Sequence, residues 1–270
     1  MKLLFKSTIL TAALFLLVTT SHASTLVLGV VPQSKSQEIH EIWSPLIQHL
    51  NNAGIEVRFS AAPSIPEFEK RLKNGEYDIA YMNPYHLIMA NKSQKYLPLL
   101  RDHSKKLKGI VVVKKDNNIA LSDLNNKEFA FPAPNALGAT LLVRAELATK
   151  EKLLIIPKYV KTHTAVYRNV AFGDTPAGGG IMKTFQEQPA DLKDKLRIIY
   201  ETTPVAPHPL AIHQRVPKNI AEKITKLLID YSKTTEGNAV MSKIPMTEVG
   251  EATMEDYNML LDLDLEKFAE

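Results

Sequence analysis

Five junctions in the sequence place small or polar residues directly before a helical pattern. They are Pro32-Gln33-Ser34, Ala62-Pro63-Ser64, Met82-Asn83-Pro84, Pro134-Asn135-Ala136 and Thr162-His163-Thr164. The first turn of a helix has backbone amides without intrahelical partners and carries the positive end of the helix dipole. Such a site favours an anion without a charged side chain. The junctions therefore predict hydrogen-bond capture of a small anionic or strongly polar molecule.

Two side chains at these junctions have alternative roles. Asn135 either caps its own helix or, with Ala136, helps to hold the ligand. His163 either is an exposed first-turn residue or donates a hydrogen bond to an oxyanion. The polar side chains of Gln33, Ser34 and Thr164 are further candidates. Asn83 belongs with them, because it directly precedes a helix-starting proline.

An alternation of strands and helices would bring these junctions together. The apolar pattern from Thr25 onward alternates between short runs and helical periods, which predicts βαβ units with mainly parallel strands. Ligands in such open sheets bind beyond the carboxyl ends of the strands. Trp43 lies on the apolar stripe of the first helix and is predicted to be core, while Pro45 predicts a restart or kink there.

The order of elements predicts two α/β lobes connected by two hinge crossings. Lobe 1 is predicted from residues 24–111 and 205–270, and lobe 2 from residues 112–204. Predicted helices include 135–148, directly after the strand 128–131, and 253–268. The triple glycine Gly178 to Gly180 either allows close backbone approach to a ligand or marks a turn. His208 and His213, in the return crossing, are predicted to be structural.

The first 23 residues have the pattern of a secretory signal peptide. Lys2 and Lys6 precede the apolar run Ile9 to Val18, and Ser21-His22-Ala23 has small residues where a signal peptidase cleaves. The alternative, an uncleaved anchor, requires about 20 apolar residues, and this run is shorter. The sequence contains no Cys, which excludes disulfides and a lipidated cysteine. We therefore predict a soluble protein exported to a bacterial periplasm.

Charge and motifs exclude several classes of function. After cleavage 31 basic residues would face 29 acidic ones, a net charge of +2 with no basic stripe, so no nucleic-acid partner is predicted. The chain has no phosphate-binding loop, nucleophile elbow or zinc-protease motif, and its eight histidines lack ligand spacing. The sequence thus predicts neither an enzyme nor a cofactor or metal site, although enzymes do occur on such folds.

Four segments resemble the phosphate, phosphite and phosphonate-binding proteins of ABC transporters. They are YDIAYMNPYHLIMA, FPAPNALGATLL, KTHTAVYRNVAFGDTPAGGGIMKTF and PHPLAIHQRVP. The resemblance covers about residues 26–243 and implies a type II periplasmic-binding-protein fold that closes on a small anionic ligand. It also implies a membrane permease as partner and a monomeric receptor. A periplasmic sensor domain, with a role in signalling, is the alternative partner.

The resemblance also carries site residues and departures from the family pattern. His163 matches a ligand-binding histidine of the family. Met82 stands where an aromatic residue often contacts ligand, with Tyr81 beside it, and Ile65 replaces a second aromatic residue. The family's Ser-Thr-Ser-Gly run corresponds here to Asn135-Ala136-Leu137-Gly138, which keeps the backbone amides and the glycine but lacks the hydroxyls.

Overall fold

The computed structural model describes residues 25–270, and the predicted signal peptide at residues 1–23 lies outside the described residues. The strands are β1 (Leu26–Val30), β2 (Val57–Ser60), β3 (Ile79–Tyr81), β4 (Leu97–Asp102), β5 (Gly109–Lys114), β6 (Glu128–Phe131), β7 (Ile156–Tyr159), β8 (Ala177–Ile181), β9 (Leu196–Glu201), β10 (Leu210–Ile212) and β11 (Val249–Glu251). The α-helices are α1 (Ser36–Asn52), α2 (Ile65–Lys73), α3 (Pro84–Gln94), α4 (Leu142–Thr149), α5 (His163–Phe172), α6 (Met182–Gln186), α7 (Ala190–Lys193), α8 (Lys218–Ser232) and α9 (Thr235–Lys243).

Two mixed sheets with helices around them form two lobes. The first sheet has the order β11-β4-β10-β3-β1-β2 and the second β7-β6-β8-β5-β9. Within them β1 runs parallel to β2 and β3, and β6 runs parallel to β7 and β8. The other pairs are antiparallel, so the prediction of mainly parallel strands is wrong. All of these antiparallel pairs except that of β4 with β11 involve β5 or β10, the two strands by which the chain enters a sheet from the neighbouring lobe.

The chain passes between the lobes twice, between β4 and β5 and between β9 and β10. At the centre of these crossings Leu107 and Val205 form an antiparallel bridge, in which each amide donates to the other residue's carbonyl over 2.9 Å. The two segments thus make a short ribbon between the sheets, as expected for a hinge. The predicted lobe boundary between residues 111 and 112 falls inside β5.

Short side-chain caps begin three of the helices that follow strands. The side chains of Ser64, Asn83 and Thr162 accept hydrogen bonds from the amides of Glu67, His86 and Ala165. Each cap replaces a partner that the first helical turn lacks. The sequence therefore determines locally where α2, α3 and α5 begin, and these helices follow the carboxyl ends of β2, β3 and β7.

Two predicted helices differ from the observed ones. Helix α1 runs without interruption through Pro45, so the predicted restart is wrong; the buried Trp43, Leu46 and Leu50 hold this helix against its sheet. Residues 254–263 and 265–267 form 3₁₀ helices instead of the α-helix predicted over 253–268. Asp264 separates them with a left-handed φ of 50°, which an α-helix does not tolerate.

Candidate functional site

The two lobes enclose a small chamber at the ends of β1, β3 and β6. It is lined by Val31, Gln33, Ile65, Asn83, Leu107, Ala136, Leu137, Gly138, Ala139, His163, Ile181 and His208. Its volume is about 20 Å³, which accommodates about one water molecule. A tetrahedral oxyanion therefore needs the lobes to lie slightly further apart. The lining contains no Lys, Arg, Asp or Glu, so its polar groups are backbone amides, carboxamides and imidazoles.

A π-helix begins at the floor of the chamber. Residues Leu137–Leu141 form this helix and continue into α4, so the helix predicted from Asn135 starts two residues later and in a wider form. Within residues 25–270 no protein oxygen accepts a hydrogen bond from the amides of Leu137, Gly138 or Ala139, whereas Thr140 already donates to Ala136 O over 2.7 Å. Three consecutive amides are therefore available to a ligand in the chamber.

Glycines in the second sheet allow the π-helix to lie this close. A Cβ on Gly179 would lie 2.1 Å from the carbonyl oxygen of Ala139, and one on Gly109 would lie 2.2 Å from that of Gly138. Gly178 to Gly180 belong to β8 and do not line the chamber. The predicted turn is therefore wrong, and the run does not line the chamber; it lets neighbouring backbone and side chains pack against the strand.

Asn135 joins the two lobes and does not cap the helix. Its Nδ2 donates to Glu69 Oε2 over 3.0 Å, and its carbonyl oxygen accepts from Asn83 Nδ2 over 3.1 Å. No side chain caps the π-helix, so the predicted capping role is wrong. Burial opposes ionisation of Glu69, but hydrogen bonds from His86 and Asn135 hold the pKa of this carboxyl below its ordinary value. Asn135 thus contacts a buried carboxylate of the opposite lobe.

Residues 265–270 cross from lobe 1 to the same asparagine. Asn135 Nδ2 donates to the carbonyl of Glu270 over 2.9 Å, and the Glu270 amide donates back to Asn135 Oδ1 over 3.1 Å. Arg144 donates to the Phe268 carbonyl over 2.7 Å, and Tyr159 donates to the Glu270 carboxylate over 2.7 Å. This segment therefore forms a third connection between the lobes, besides the two crossings.

His163 lies in the chamber wall with one ring nitrogen held by protein. Its Nδ1 is 3.2 Å from Thr184 Oγ1, which is 2.8 Å from the Tyr167 hydroxyl. Burial, reinforced by the charge of Lys183, lowers the pKa of His163 to about 4, so the ring is neutral at pH 7. When Thr184 donates to Nδ1, the proton of the neutral ring is on Nε2. Nε2 has no partner in residues 25–270, which leaves it available to a ligand.

His208 is a wall residue that the sequence assigned only a structural role. Its Nε2 lies 3.2 Å from Gln33 Nε2, and its ring stacks on Tyr81 with centroids 5.5 Å apart. Burial first, and the neighbouring His86, Lys183 and His163 second, lower the pKa of His208 to about 3. His208 is therefore neutral as well. His213, by contrast, bonds Gln94 and the Arg215 amide away from the chamber.

The structure divides the predicted site residues into three groups. Those lining the chamber are Gln33, Asn83, Ala136 and His163. Ser34 and Thr164 are exposed outside it, in the wall of a groove of about 1460 Å³ that shares Gln33, Ile65 and His163 with the chamber. Tyr81, Met82 and Asn135 are buried behind the lining.

The buried group supports the wall instead of forming it. Tyr81 packs between Trp43 and His208, and the Met82 amide donates to Pro209 O over 3.2 Å, next to His208. The family resemblance had matched Leu137 and Gly138 to a ligand-binding run. Sequence reasoning did not select Val31, Leu107, Ala139, Ile181 or His208, which also line the chamber. Most of these lining residues are apolar. The three consecutive amides could have been indicated only by the position of residues 137–139, directly after Asn135-Ala136.

Comparisons with known proteins agree with this architecture. The family model described as "ABC transporter, phosphonate, periplasmic substrate-binding protein" matches residues 28–257. No curated protein matches the chain. No helix among residues 25–270 has the length and apolar composition needed to cross a bilayer.

Three solved structures share the two-lobed fold. A binding protein component of an ABC phosphonate transporter from Pseudomonas aeruginosa has a TM-score of 0.78 at 15% identity, covering 90% of this chain and 86% of its own. PhnD1 from Prochlorococcus marinus in complex with methylphosphonate also has a TM-score of 0.78, at 13% identity, covering 90% and 98%. XAC2383 from Xanthomonas citri bound to ATP has a TM-score of 0.72 at 16% identity, covering 92% and 100%. The predicted two-lobed α/β fold is confirmed.

Proposed function

Because the chain belongs to the family of periplasmic substrate-binding proteins of phosphonate ABC transporters, we propose that its chamber binds a phosphonate or a similar tetrahedral oxyanion. The family works by binding, as a component of a transporter, and its partner is the permease of that transporter. A signalling role through a sensor domain is not favoured.

One observation carries the proposal: Leu137, Gly138 and Ala139, whose amides have no protein acceptor within residues 25–270, line one small chamber together with His163. A tetrahedral oxyanion has several acceptor oxygens in a compact volume, and each amide supplies one donor. The Nε2 of His163 supplies a fourth in the tautomer in which Nδ1 accepts from Thr184. The amides of Leu137 and Gly138 take the place of the hydroxyl-rich run that the family resemblance led us to expect.

The large groove outside the chamber gives a substituent on the ligand a place to extend. Its walls contain Lys35, Lys161, Arg168 and Lys195 as well as Glu38, Glu187 and Asp191. The mixture of charges suits a polar substituent better than an aliphatic chain. We therefore include a nucleotide among the ligands to be tested, as XAC2383 binds ATP in its solved structure.

We further propose that the protein is a monomer without catalytic activity or a nucleic-acid partner, exported by the signal peptide predicted at residues 1–23. The chamber presents neutral hydrogen-bonding groups and no nucleophile activated by a base. Gel filtration with light scattering tests the oligomeric state. The mature N-terminus of protein recovered from the periplasm tests the export signal.

The decisive experiment is a ligand screen of the refolded mature protein by thermal shift, followed by calorimetry. Phosphate, phosphite, methylphosphonate, 2-aminoethylphosphonate, sulfate, acetate and ATP form the panel. A ligand that binds only the folded state raises the melting temperature by mass action. His163→Ala should weaken the binding of the selected oxyanion roughly tenfold to a hundredfold, since a hydrogen bond to a charged group is worth about 1.5 to 3 kcal/mol.

The matched control is His40→Ala, an exposed histidine on α1 outside the chamber. Stabilisation by none of the phosphorus oxyanions, or turnover of any ligand, would contradict the proposal. Equal affinity in the His163→Ala protein would remove this imidazole from the site.

A further inference from the structure

The chamber that receives the oxyanion contains no compensating positive charge. None of its twelve lining residues is Lys or Arg, and its two imidazoles are neutral at pH 7. In addition, the buried carboxylate of Glu69 accepts a hydrogen bond from Asn135, next to the amides at the chamber floor. A dianion would have to lose its hydration without a cationic partner in the lining, beside a carboxylate whose other oxygen contacts His86, and this loss of hydration is unfavourable.

The chamber also offers an acceptor for a proton on the ligand. The contact between Gln33 and His208 has two possible assignments, because the carboxamide orientation and the ring tautomer are coupled. If the Gln33 amide donates to His208 Nε2, Gln33 Oε1 is free to accept. If the carboxamide is turned and accepts from Nε2, His208 Nδ1 is the free acceptor. Either arrangement leaves one neutral acceptor on a residue that lines the chamber.

We propose, on the basis of the proposed function, that the chamber selects the singly ionised, P–OH form of its phosphorus oxyanion over the dianion. The P–OH group donates to the acceptor of the Gln33–His208 pair, and the ionised oxygens accept from the amides of Leu137 to Ala139 and from His163. No bond to phosphorus forms or breaks. The chamber distinguishes the monoanion from the dianion of the same ligand by their difference in charge.

Charged and titratable groups on the surrounding elements lie outside the chamber lining. They include Lys35, Glu38, Glu67, Glu69, Lys70, Arg71, Lys73, Tyr81, His86, Lys105, Lys106, Lys108, Arg144, Lys161, Tyr167, Arg168, Lys183, Glu187 and Glu270. The charge of Lys183 contributes to the lowered pKa of both imidazoles, but this residue, two positions after Ile181, does not line the chamber. A test of the ligand's charge therefore needs a control that reports any titration of these protein groups.

The experiment measures the affinity for methylphosphonate by calorimetry between pH 5.5 and 8.5 at constant ionic strength. Methylphosphonate loses its second proton within this range, so the fraction of monoanion falls about tenfold for each pH unit above that pKa, and the apparent affinity should fall with it. Methanesulfonate, a monoanion of similar shape at every pH, is the control, and its weaker binding should not change over the range. Measurements in two buffers of different ionisation enthalpy should show uptake of about one proton per methylphosphonate bound at pH 8.5.

Two substitutions at the half-buried Gln33 make the test specific. Gln33→Lys introduces a cation into the wall and should allow the dianion to bind, so the affinity at pH 8.5 should rise relative to that at pH 5.5. Gln33→Met keeps the length of the side chain without charge or acceptor. It should weaken methylphosphonate binding at pH 5.5 without reversing the trend.

The outcomes separate this inference from the proposed function. Methylphosphonate binding that is constant or stronger at high pH overturns the selection of the monoanion while the proposed function stands. Parallel pH profiles for methylphosphonate and methanesulfonate also overturn it, because the protein would then be the titrating partner. An absence of methylphosphonate binding at every pH overturns this inference. If phosphate, phosphite and 2-aminoethylphosphonate also fail to bind, the proposed function is contradicted as well.

Discussion

The carboxamide of Asn135 in lobe 2 donates to the buried carboxylate of Glu69 in lobe 1 over 3.0 Å. The same carboxamide exchanges two hydrogen bonds with the backbone of Glu270, and the Asn135 carbonyl accepts from Asn83. One residue beside the ligand amides therefore holds three parts of lobe 1. This arrangement couples the position of the π-helix to the closure of the lobes.

Asn135→Ala should destabilise the closed arrangement. The substitution removes the contacts with Glu69 and Glu270 and leaves a buried carboxylate with one partner fewer. The free energy of unfolding should fall by roughly 1 to 3 kcal/mol, the usual cost of an unsatisfied buried polar group. The radius of gyration from small-angle scattering, measured without added ligand, should increase as the lobes separate. Asn52→Ala, at an exposed position without a side-chain hydrogen bond, is the control; equal effects of the two substitutions would exclude the coupling.

Gly179→Ala should displace the π-helix from its sheet. The new Cβ would lie 2.1 Å from the Ala139 carbonyl oxygen and 2.3 Å from Phe131 Cε1, so backbone must move. Overpacking of this kind costs about 1 to 3 kcal/mol. Because Ala139 supplies one of the amides proposed to bind the ligand, oxyanion affinity should fall as well, which calorimetry on the folded variant measures. Gly173→Asn is the control, since nothing lies within 4 Å of its Cβ and asparagine tolerates a positive φ. Native affinity in Gly179→Ala would show that the π-helix does not depend on this contact.

These two sites show how far the sequence alone specifies the molecule. The starts of α2, α3 and α5 were predictable because Ser64, Asn83 and Thr162 cap amides three residues away. Local chemistry determines such ends, and the two-lobed fold follows from the order of the elements.

Other parts of the site depend on contacts that sequence spacing does not reveal. The role of Asn135 depends on residues 66 and 135 positions away. His208 contacts Gln33 in the chamber wall, and Gln33 is 175 residues distant in the sequence. The π-helix requires glycines of β5 and β8 beneath it. Sequence reasoning therefore selected the edge that lines the chamber, but it misassigned the side chain of Asn135, which joins the lobes there.

The buried imidazoles should make folding stability depend on pH. The pKa of His163 is about 4 and that of His208 about 3 in the folded protein, against an ordinary value of 6.5. Below pH 6.5 the unfolded chain thus binds more protons than the folded one, and the free energy of unfolding falls as the pH falls. The stability from these two groups is fully present above pH 6.5 and decreases down to their folded pKa values.

Urea unfolding between pH 7.5 and 5 measures this slope above the range where most carboxylates titrate. His163→Gln removes one titrating group while keeping a polar side chain, so its slope should be smaller than that of the native protein. His40→Gln is the matched control for the loss of a histidine. An unchanged slope in His163→Gln would mean that this ring does not stay neutral when the chain folds.

Arg144→Ala should release residues 265–270 from lobe 2. The guanidinium donates to the Phe268 carbonyl over 2.7 Å and to the Tyr159 hydroxyl over 3.1 Å, and it lies 5.7 Å from the centre of the Phe268 ring. Its removal also takes away a hydrogen bond that orients the Tyr159 hydroxyl, which itself donates to the Glu270 carboxylate. The expected loss of stability is small, roughly 0.5 to 1.5 kcal/mol, but amide hydrogen exchange at residues 266–270 should become much faster.

The matched control for this release is Arg58→Ala, an exposed arginine of β2 without a side-chain hydrogen bond. Its amide exchange at residues 266–270 should remain that of the native protein. Since Asn135 holds the same segment, Arg144→Ala and Asn135→Ala combined should destabilise the protein by less than the sum of their separate effects. Strictly additive losses in the free energy of unfolding would show that the 265–270 segment and the lobe contact at Glu69 act independently. The segment would then not be a third connection between the lobes.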